Sequence, residues 1–442
     1  MNNISIFGTS SDAGKSTVTF LVARLLQARG YRVAPFKAQN VSNNAIVAHD
    51  GSEIAVAQGF QAEVLGVATS WHNNPILLKS GRGSSASLIV GGRAVETQDV
   101  RSYYRDLDTL KPIVTQAYEW LNDRYDCIIA EGAGSPVELN LMDKDLSNLF
   151  IATQFKTKII LVADIEKGGV FASIYGVYHL LPHALRANVI GVVINKFRGD
   201  RSLFDAGVRI IEEEFGIPVL GVLPYRPFNL GFEDSQSLKN FTQDCQHASR
   251  RIAVIHYPTM SNYNDFEPLL ADPKSCVEFV TSAIDLTRFD WVILPGSKLI
   301  LQDLAWLKAS GLFEQIQSLY ATKQCRIIGI CGGYQMMFEA IVDEACIEVE
   351  HPTHATGLGF IDDTIYFQRE KILKRNGDTF EIHHGISQKY PLSYEAPQLY
   401  GTFEHGLFVD AWFRDYKEQT ITTFVEEMEA YFDIERVIAD VS

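Results

Sequence analysis

The sequence has little cysteine, little positive charge and no long apolar run. Six cysteines among 442 residues are too few for a disulfide framework, and no two have the Cys-x-x-Cys spacing typical of zinc sites. We therefore expect most of them to be buried thiols. No stretch approaches the roughly 18 apolar residues that a membrane span needs, and the first residues lack the basic start of a signal peptide. These absences predict a soluble cytoplasmic protein with no membrane partner.

The charge balance excludes another class of partner. Lys and Arg total 39 and Asp and Glu total 54, which gives a net charge of −15. Such a chain repels nucleic-acid phosphate unless positive charge is concentrated locally, so we expect no nucleic-acid partner. At roughly 150 residues per domain, the length indicates two or three domains. The composition does not decide the oligomeric state, and a homo-oligomer stays open.

Short apolar runs alternate with longer helical stretches along the chain. This alternation predicts α/β domains with parallel sheets covered by helices. A polar stretch divides the runs into two series, which predicts a first domain at residues 1–235, a linker at 236–250 and a second domain at 251–442. The predicted strands lie at residues 4–7, 32–36, 127–130, 158–163, 189–194 and 219–223, and then at 251–256, 291–294 and 326–330.

A phosphate-binding loop follows the first predicted strand. Residues 8–17 read Gly-Thr-Ser-Ser-Asp-Ala-Gly-Lys-Ser-Thr and lead into an amphipathic helix. In such a loop the backbone amides point at phosphate oxygens, Lys15 reaches the β- and γ-phosphates of ATP, and Ser16 is a ligand for Mg²⁺. One residue more than usual separates the two glycines, and this longer loop resembles that of dethiobiotin-synthetase-like proteins. The candidate ATP-binding residues are Thr9, Asp12, Ala13, Gly14, Lys15, Ser16 and Thr17.

Three further polar residues stand at later strand ends, which meet at one edge of a parallel sheet. Glu131 is the second candidate ligand for Mg²⁺, although a strand-end acid also commonly caps a loop. Asp164 is placed to approach the same metal or a reacting carboxylate of the substrate, and a purely structural role fits its position equally well. Asn195 carries an amide that can pair with both a donor and an acceptor of adenine, so we assign it to ATP binding.

The second domain carries the pattern of a cysteine nucleophile. A predicted strand runs into Cys331, two glycines and a helix, as in a nucleophile elbow. The helix dipole favours the Cys331 thiolate, whereas the alternative is a buried core thiol. His405 is the candidate base among 11 histidines. The amides of Gly296 and Gly332 are candidates for an oxyanion hole, with a plain strand-end turn at Gly296 as the alternative.

Together these motifs resemble the cobyric acid synthase family, the glutamine-dependent amidotransferases of cobalamin biosynthesis. The resemblance implies ATP-dependent amidation of the b, d, e and g carboxylates of a corrinoid, adenosylcobyrinic a,c-diamide. It also implies L-glutamine as nitrogen donor, Gln335 in glutamine binding, an acyl phosphate intermediate, and ATP and Mg²⁺ as cofactors. It covers nearly the whole chain and includes residues 8–17, 39–40, 131–136, 195–200, 261–266, 294–298, 329–336 and 405–408.

Two points adjust what the resemblance implies. Class-I glutaminases usually carry an acid two residues after the catalytic histidine, but this chain has Leu407 there, so the sequence supports only a dyad of cysteine and histidine. A polycarboxylate substrate also needs local positive charge in a chain whose net charge is −15, and Lys37, Lys79 and Arg82 are the candidates for that pocket.

Three other functions fit parts of the pattern. Cobyrinic acid a,c-diamide synthase has the same domain plan, but its motif has aspartates where residues 37–40 of this chain read Lys-Ala-Gln-Asn. A partition-type ATPase needs a lysine five residues before Lys15, where this chain has Ser10. An ammonia-dependent ligase with an inactive second domain would have no use for Cys331 and His405.

Overall fold

The computed structural model describes residues 1–80, 85–95, 98–99, 107–228, 230–231, 243, 245–323 and 325–442. The chain forms two compact units. Unit 1 comprises Met1–Ser42, Ala48–Phe228 and Tyr416–Ser442, and unit 2 comprises Asn43–Val47 and Asn229–Asp415. Residues 236–242 and 244 of the predicted linker lie outside the described residues, as does Arg82.

The elements up to residue 224 alternate between strands and helices. Strands β1–β13 occupy Ile4–Gly8, Val33–Phe36, Gln39–Val41, Ala45–Val47, Glu53–Ala55, Ile76–Ser80, Ser85–Val90, Arg93–Ala94, Gln98–Asp99, Cys127–Glu131, Lys158–Asp164, Val189–Phe197 and Val219–Pro224. Helices α1–α7 occupy Lys15–Ala28, Val56–Val64, Lys111–Asn122, Leu149–Phe155, Val170–Leu180, His183–Arg186 and Asp205–Arg209.

The main sheet of unit 1 is parallel, in the order β13-β12-β11-β1-β10-β2. Its central strands are buried on both faces, which explains why they appear in the sequence as continuous apolar runs. Parallel pairing brings the carboxyl ends of β1, β10, β11 and β12 to one edge. A smaller sheet has the order β3-β6-β7-β8, with β9 on β7.

Unit 2 also contains two sheets. One has the order β15-β14-β16-β17-β23-β22 and is parallel except for its last pair, and the other has the order β19-β18-β20-β21-β24. Strands β14–β24 occupy Arg250–Ile255, Ser275–Val280, Trp291–Leu294, Arg326–Ile330, Phe338–Asp343, Thr353–Thr356, Ile361–Asn376, Thr379–Ile386, Ser393–Ala396, Leu399–Thr402 and Glu404–His405. The remaining helices of the chain, α8–α13, occupy Glu267–Ala271, Ile300–Ala309, Leu312–Thr322, Gly332–Met336, Ala411–Glu429 and Ile434–Val441, the last of which lies in unit 1. The predicted α/β fold class is confirmed.

The C-terminal helix α13 completes the core of unit 1. Its buried side chains Ile434, Val437 and Val441 belong to the same apolar cluster as Leu21 and Leu25 of α1. Their spacing of three and four residues places them on one helix face, so this face needs an apolar partner. The predicted second domain extends linearly to residue 442, whereas unit 2 ends at Asp415.

The cysteines divide into three groups. Cys127, Cys325 and Cys331 are buried thiols, so the expectation that most of the cysteines are buried thiols holds for three of the six. Cys346 is an exposed thiol, and Cys245 and Cys276 form a disulfide, which the sequence argument did not predict. In the part of the chain that the structure describes, no helix combines the length and the apolar character needed to cross a membrane.

Candidate active sites

The phosphate-binding loop lies between β1 and α1. Strand β1 ends at Gly8 and α1 begins at Lys15. The backbone N–H of Thr9 donates to the Val162 carbonyl of β11 at 2.8 Å, which attaches the start of the loop to the sheet. The Lys15 ammonium group folds back over the loop and donates to the Ser10 carbonyl at 3.3 Å. Lys15 therefore lies over the concave side of the loop, where a phosphate chain binds in such folds.

The far side of the loop is held by Asn195 from β12. The Asn195 side-chain amide donates to the Ala13 carbonyl at 3.0 Å, so the residue predicted to read adenine also contacts the loop itself. Asp12 and Gly14 have left-handed backbone, with φ of 58° and 94°. A Cβ atom at Gly14 would collide with the Asn195 amide, so glycine is required there. Thr17 is half-buried in the first turn of α1.

Glu131 is the centre of a hydrogen-bond cluster at the end of β10. Its carboxylate accepts bonds from the Ser16 hydroxyl at 2.9 Å, the Lys37 ammonium at 2.9 Å and the Gln61 amide at 2.7 Å. Burial raises the pKa of Glu131, but the Lys37 charge and the three hydrogen bonds outweigh burial and hold the pKa below its usual range. The two predicted metal ligands, Ser16 and Glu131, are thus in direct contact.

Asp164 lies at the end of β11, opposite Asn195 in the parallel register. Its carboxylate accepts a bond from the Lys196 ammonium at 3.0 Å and one from the Glu166 backbone N–H at 2.8 Å. Lys196 also donates to the Asp12 carbonyl at 2.7 Å. Asp164 is therefore connected to the phosphate-binding loop through Lys196, for which the sequence predicts no role.

The two lysines predicted to form a basic pocket have buried acidic partners. Lys37 pairs with Glu131 at 2.9 Å, and Lys79 pairs with Glu53 at 2.6 Å. All four side chains are at most 7% exposed. These lysines are therefore charge-balanced within unit 1.

A cavity in unit 1 opens next to the end of β10. One wall is formed by Gln39 and Val41 of β3, and another by residues 133–136, which follow β10. Leu141 and Lys144 also line it. Val41 and Leu141 are 62% and 41% exposed, so the cavity presents apolar surface to solvent.

The nucleophile elbow of unit 2 is built at the end of β17. Cys331 follows this strand directly and precedes α11. Its backbone has φ 49° and ψ −102°, which is strained for a residue with a Cβ atom. The Cys331 N–H donates to the Thr402 carbonyl at 2.7 Å, and the Gly333 N–H donates to the Pro295 carbonyl at 2.9 Å. These bonds stabilise the sharp strand-to-helix turn that the sequence predicts.

His405 is oriented by a carboxylate. Its Nδ1 lies 2.7 Å from Asp265 Oδ2, and the Gly406 N–H donates to Asp265 Oδ1 at 2.8 Å. Burial lowers the pKa of His405, but the charges of Asp265 and Cys331 and their hydrogen bonds to the ring outweigh burial and raise the pKa to about 10. The Phe380 ring stacks on the imidazole with the ring centres 5.1 Å apart. The predicted pair of Cys331 and His405 thus has a third member.

The predicted oxyanion residues lie beside this pair. A Cβ atom at Gly296 would stand 2.9 Å from His405 Cε1, and one at Gly332 would stand 2.7 Å from the Ser297 backbone nitrogen. Glycine is therefore required at both positions. The Ser297 hydroxyl donates to the buried Asp303 carboxylate at 2.6 Å, which fixes the turn that contains Gly296.

Gln335 is fully buried in α11. Within the described ranges neither polar atom of its side chain has a hydrogen-bond partner. A Cβ atom at Gly385 would collide with Gln335 Oε1, so the amide lies against β21. A buried amide without a partner is uncommon, and its role in glutamine binding stays a prediction.

Besides Lys196, two residues at these sites had no predicted role. Asp265 belongs to the stretch 261–266, whose only signal in the sequence is its likeness to the family motif. Gln61 lies within α2 and has no motif around it. Each forms a hydrogen bond with a residue that is distant in the sequence: Asp265 with His405, and Gln61 with Glu131.

A phosphate-binding loop (P-loop) site in unit 1 and a buried Cys–His–Asp site in unit 2 define an ATP-dependent amidotransferase. Two family models match the chain: the CobQ/CobB/MinD/ParA nucleotide binding domain at residues 4–230 and the CobB/CobQ-like glutamine amidotransferase domain at residues 251–413. Relatives that match nearly the full length of the chain show that it belongs to the cobyric acid synthase family.

Curated relatives match along most of their length. A cobyric acid synthase of Acinetobacter baylyi is 59% identical, and the alignment covers 99% of this chain and 99% of the relative. One of Listeria innocua is 42% identical over 88% of this chain and 78% of its own length. One of Anoxybacillus flavithermus is 39% identical, with 92% and 86% covered. The family resemblance drawn from the motifs is thereby confirmed.

The Lys37–Glu131 pair predicts a test by substitution. Lys37→Met leaves a buried carboxylate without its charged partner, so we expect the free energy of unfolding to fall by about 3–5 kcal/mol. Lys37→Met combined with Glu131→Gln should recover most of this loss, because no unpaired charge remains buried. Urea denaturation measures both. Arg32→Met, which breaks the exposed pair with Asp126, is the matched control and should have far less effect. A double variant no more stable than the single variant would contradict the prediction.

The contact between Asp265 and His405 predicts a large effect on glutamine hydrolysis. Asp265→Asn removes the charge that orients the imidazole, so we expect kcat to fall on the order of 10²–10⁴-fold. Glutamate release from glutamine measures it. Asp272→Asn is the control, because within the described ranges the Asp272 carboxylate accepts bonds from the nearby residues 274 and 275. Equal rates for Asp265→Asn and the wild type would refute a role for this carboxylate.

The same variant predicts a dependence of stability on pH. The pKa of His405 is about 10 in the folded chain, above its ordinary value of 6.5. The stabilisation from its proton is therefore fully present below about pH 6.5 and is lost as the pH rises through about 10. The difference in unfolding free energy between the wild type and Asp265→Asn should shrink from pH 6 to pH 10. A constant difference would contradict the assigned pKa shift.

Proposed function

We propose that the enzyme amidates the b, d, e and g carboxylates of adenosylcobyrinic a,c-diamide to give adenosylcobyric acid, with glutamine as nitrogen donor and ATP as energy source. The observation that carries the proposal is the presence of both a P-loop site and a Cys–His–Asp site in a chain that matches a named cobyric acid synthase over 99% of its length. We place the reaction in the cytoplasm, where ATP and glutamine are available.

In unit 1 the phosphate-binding loop would hold ATP, with Lys15 at the β- and γ-phosphates. A substrate carboxylate oxygen attacks the γ-phosphorus, the bond to the bridging oxygen of ADP breaks, and an acyl phosphate forms. Charge on the transferring group develops where Lys15 and the loop amides converge, which lowers the barrier. Asn195 and Lys196 hold the shape of the loop through the Ala13 and Asp12 carbonyls.

Ser16 and Glu131 are the residues that would hold Mg²⁺. Both supply oxygen ligands, and their oxygens lie 2.9 Å apart. Among the described residues there is no cluster of three or more His, Cys, Asp or Glu that could form a metal cage. Mg²⁺ does not need one, because it commonly takes one or two protein ligands and completes its shell with phosphate and water. When bound, it supplies charge neutralisation at the β- and γ-phosphates.

In unit 2 the Cys331 sulfur attacks the side-chain carbonyl carbon of glutamine. His405 carries the proton that the leaving nitrogen takes up, and Asp265 stabilises the imidazolium form. The amides of Gly296 and Gly332 would stabilise the oxyanion of the tetrahedral intermediate. Ammonia leaves, and water then hydrolyses the thioester to glutamate and restores the thiol.

The ammonia completes the reaction in unit 1. It attacks the acyl carbon of the acyl phosphate, phosphate leaves, and an amide results. Free ammonia would replace the whole glutaminase half-reaction if the unit 1 site is intact. The two half-reactions can therefore be separated by substitution.

The cavity beside β10 is our candidate for the corrinoid. Its exposed Val41 and Leu141 suit the apolar surface of a macrocycle, and Lys144 suits a peripheral carboxylate. It is bounded by the residues that follow Glu131, and this supports a position near the proposed phosphoryl transfer.

The first test of the proposal is mass spectrometry of the corrinoid after incubation with enzyme, glutamine and MgATP. We expect up to four successive amidations, each reducing the mass by about 1 Da as a hydroxyl is replaced by an amino group. Cys331→Ala should abolish the reaction with glutamine and retain it with ammonia, because only the nucleophile is removed.

Other outcomes assign the function differently. No change in the corrinoid, despite hydrolysis of ATP and glutamine, would mean that the substrate is wrong. Cobyrinic acid would then be the next compound, since cobyrinic acid a,c-diamide synthase is the alternative. Equal use of glutamine by Cys331→Ala and the wild type would refute the glutaminase assignment.

The cavity predicts a separate effect on corrinoid affinity. Leu141→Asp places a negative charge against a polycarboxylate, so we expect KM for the corrinoid to rise about tenfold, equivalent to about 1.4 kcal/mol. KM for ATP and glutamine hydrolysis should not change. Leu203→Asp is the matched control, because Leu203 is an 82% exposed leucine of the same unit outside the cavity. Equal values for the two variants would exclude this cavity.

A further inference from the structure

A short piece of the nucleotide-binding sequence belongs to the glutaminase unit. The chain leaves unit 1 after Ser42, contributes Asn43–Val47 to unit 2, and returns to unit 1 at Ala48. The match to the nucleotide binding domain, residues 4–230, includes these five residues. We call Asn43–Val47 the crossing segment. Its contacts in unit 2 show what it does there.

Asn44 and Ala45 of the crossing segment hold one residue of unit 2. The Asn262 backbone N–H donates to Asn44 Oδ1 at 2.7 Å, and the Ala45 backbone N–H donates to Asn262 Oδ1 at 3.2 Å. Asn44, Ala45 and Asn262 are at most 3% exposed. Water therefore does not replace these bonds, and loss of either partner leaves a buried polar group unsatisfied.

Asn262 has a backbone conformation that needs such support. Its φ is 57°, in the left-handed region that residues with a Cβ atom seldom adopt. It directly precedes a single 3₁₀ turn, Tyr263–Phe266. The Asp265 N–H donates to the Asn262 carbonyl at 3.0 Å, so the position of Asn262 sets where this turn begins. The turn carries the carboxylate that orients His405.

The other end of the crossing segment is also anchored. The Arg375 guanidinium group donates to the Val47 carbonyl at 2.9 Å. Arg375 pairs with Phe380 across β20 and β21, and Phe380 stacks on the His405 ring. The segment is therefore bonded to Asn262, which lies one contact from Asp265, and to Arg375, which lies two contacts from His405.

We propose that Asn44 is a positioning residue for glutamine hydrolysis, which holds Asn262 and, through it, Asp265 in the place that His405 requires. The proposal rests on the glutaminase half of the proposed function. It means that the glutaminase unit takes a residue of its catalytic framework from the nucleotide-binding sequence. The chemistry itself stays with Cys331, His405 and Asp265.

Asn44→Ala in the full chain tests the proposal. We expect kcat for glutamine hydrolysis to fall about 10–100-fold, because a small displacement of an orienting group is enough for such a loss. KM for glutamine should change less than threefold, since the Asn44 side chain accepts a bond from the Asn262 backbone and is not assigned to glutamine binding. Asn122→Ala is the matched control: it removes an exposed asparagine of unit 1 that accepts a bond from Asn3 and keeps the Asn44–Asn262 bond, so it should behave as the wild type.

The same substitution in an Asp265→Asn background separates positioning from general damage. If Asn44 acts through Asp265, Asn44→Ala should lower the rate of the Asp265→Asn variant less than twofold. A further drop of tenfold or more, or an equal loss in Asn122→Ala, would overturn the proposal. Unchanged kcat in Asn44→Ala would also overturn it. Thermal melting within a few degrees of the wild type checks that the variant is folded.

The outcomes also distinguish this proposal from the proposed function. A wild-type enzyme that releases no glutamate from glutamine would refute the glutaminase assignment itself. A wild-type enzyme that releases glutamate at the same rate as Asn44→Ala would refute only the role of Asn44.

Discussion

Both sites depend on the parallel direction of the strands that carry them. A parallel sheet delivers the carboxyl end of every strand to the same edge, so residues far apart in the sequence become neighbours there. In unit 1 this constraint joins the loop after β1 to Glu131, the last residue of β10, and to Asn195, near the end of β12. In unit 2 it places the turn after β16 beside the elbow after β17. The sheets thus determine which chemical groups meet, and the turns supply backbone amides for charged intermediates.

Charge is distributed in opposite ways over the two sites. In unit 1 the buried lysines Lys37 and Lys79 each face a buried glutamate, so the cluster is neutral before ligands bind. A buried pair of this kind adds little net stability, but breaking it exposes the remaining charge to a low dielectric. In unit 2 the buried Asp265 stabilises a proton on His405. The first arrangement keeps a carboxylate ionised, and the second keeps an imidazole protonated.

Local sequence patterns predicted most of the strands and the two glycine-containing turns. The nine apolar runs correspond to strands whose ends differ from the structure by no more than three residues, because strands buried on both faces are nearly continuous in apolar residues. The phosphate-binding loop and the elbow were recognisable because each needs glycine at fixed spacing. The sheet β19-β18-β20-β21-β24 was not predicted, since its longest strand, Ile361–Asn376, contains runs of charged and polar residues instead of a continuous apolar run.

Contacts that depend on tertiary structure were not accessible in the same way. Asp265 lies 140 residues before His405, and the expected position for an acid held Leu407 instead. The pair of Lys37 and Glu131 is separated by 94 residues. Nothing in the spacing of these residues indicates that they touch, because the contact is created by the order of strands in the sheet.

The packing of α13 on α1 has a consequence for how the chain reaches its native state. The cluster that contains Leu21 also contains Phe424, Met428, Ile434 and Val441, so part of the core of unit 1 is supplied by residues that follow the glutaminase sequence. During translation the core of unit 1 stays incomplete until the entire glutaminase sequence has been synthesised. Until then an apolar face of α1 is exposed to solvent or chaperones. The folding of unit 1 therefore depends on synthesis of both units. If translation stops after the nucleotide-binding sequence, unit 1 lacks part of its core and is incompletely folded.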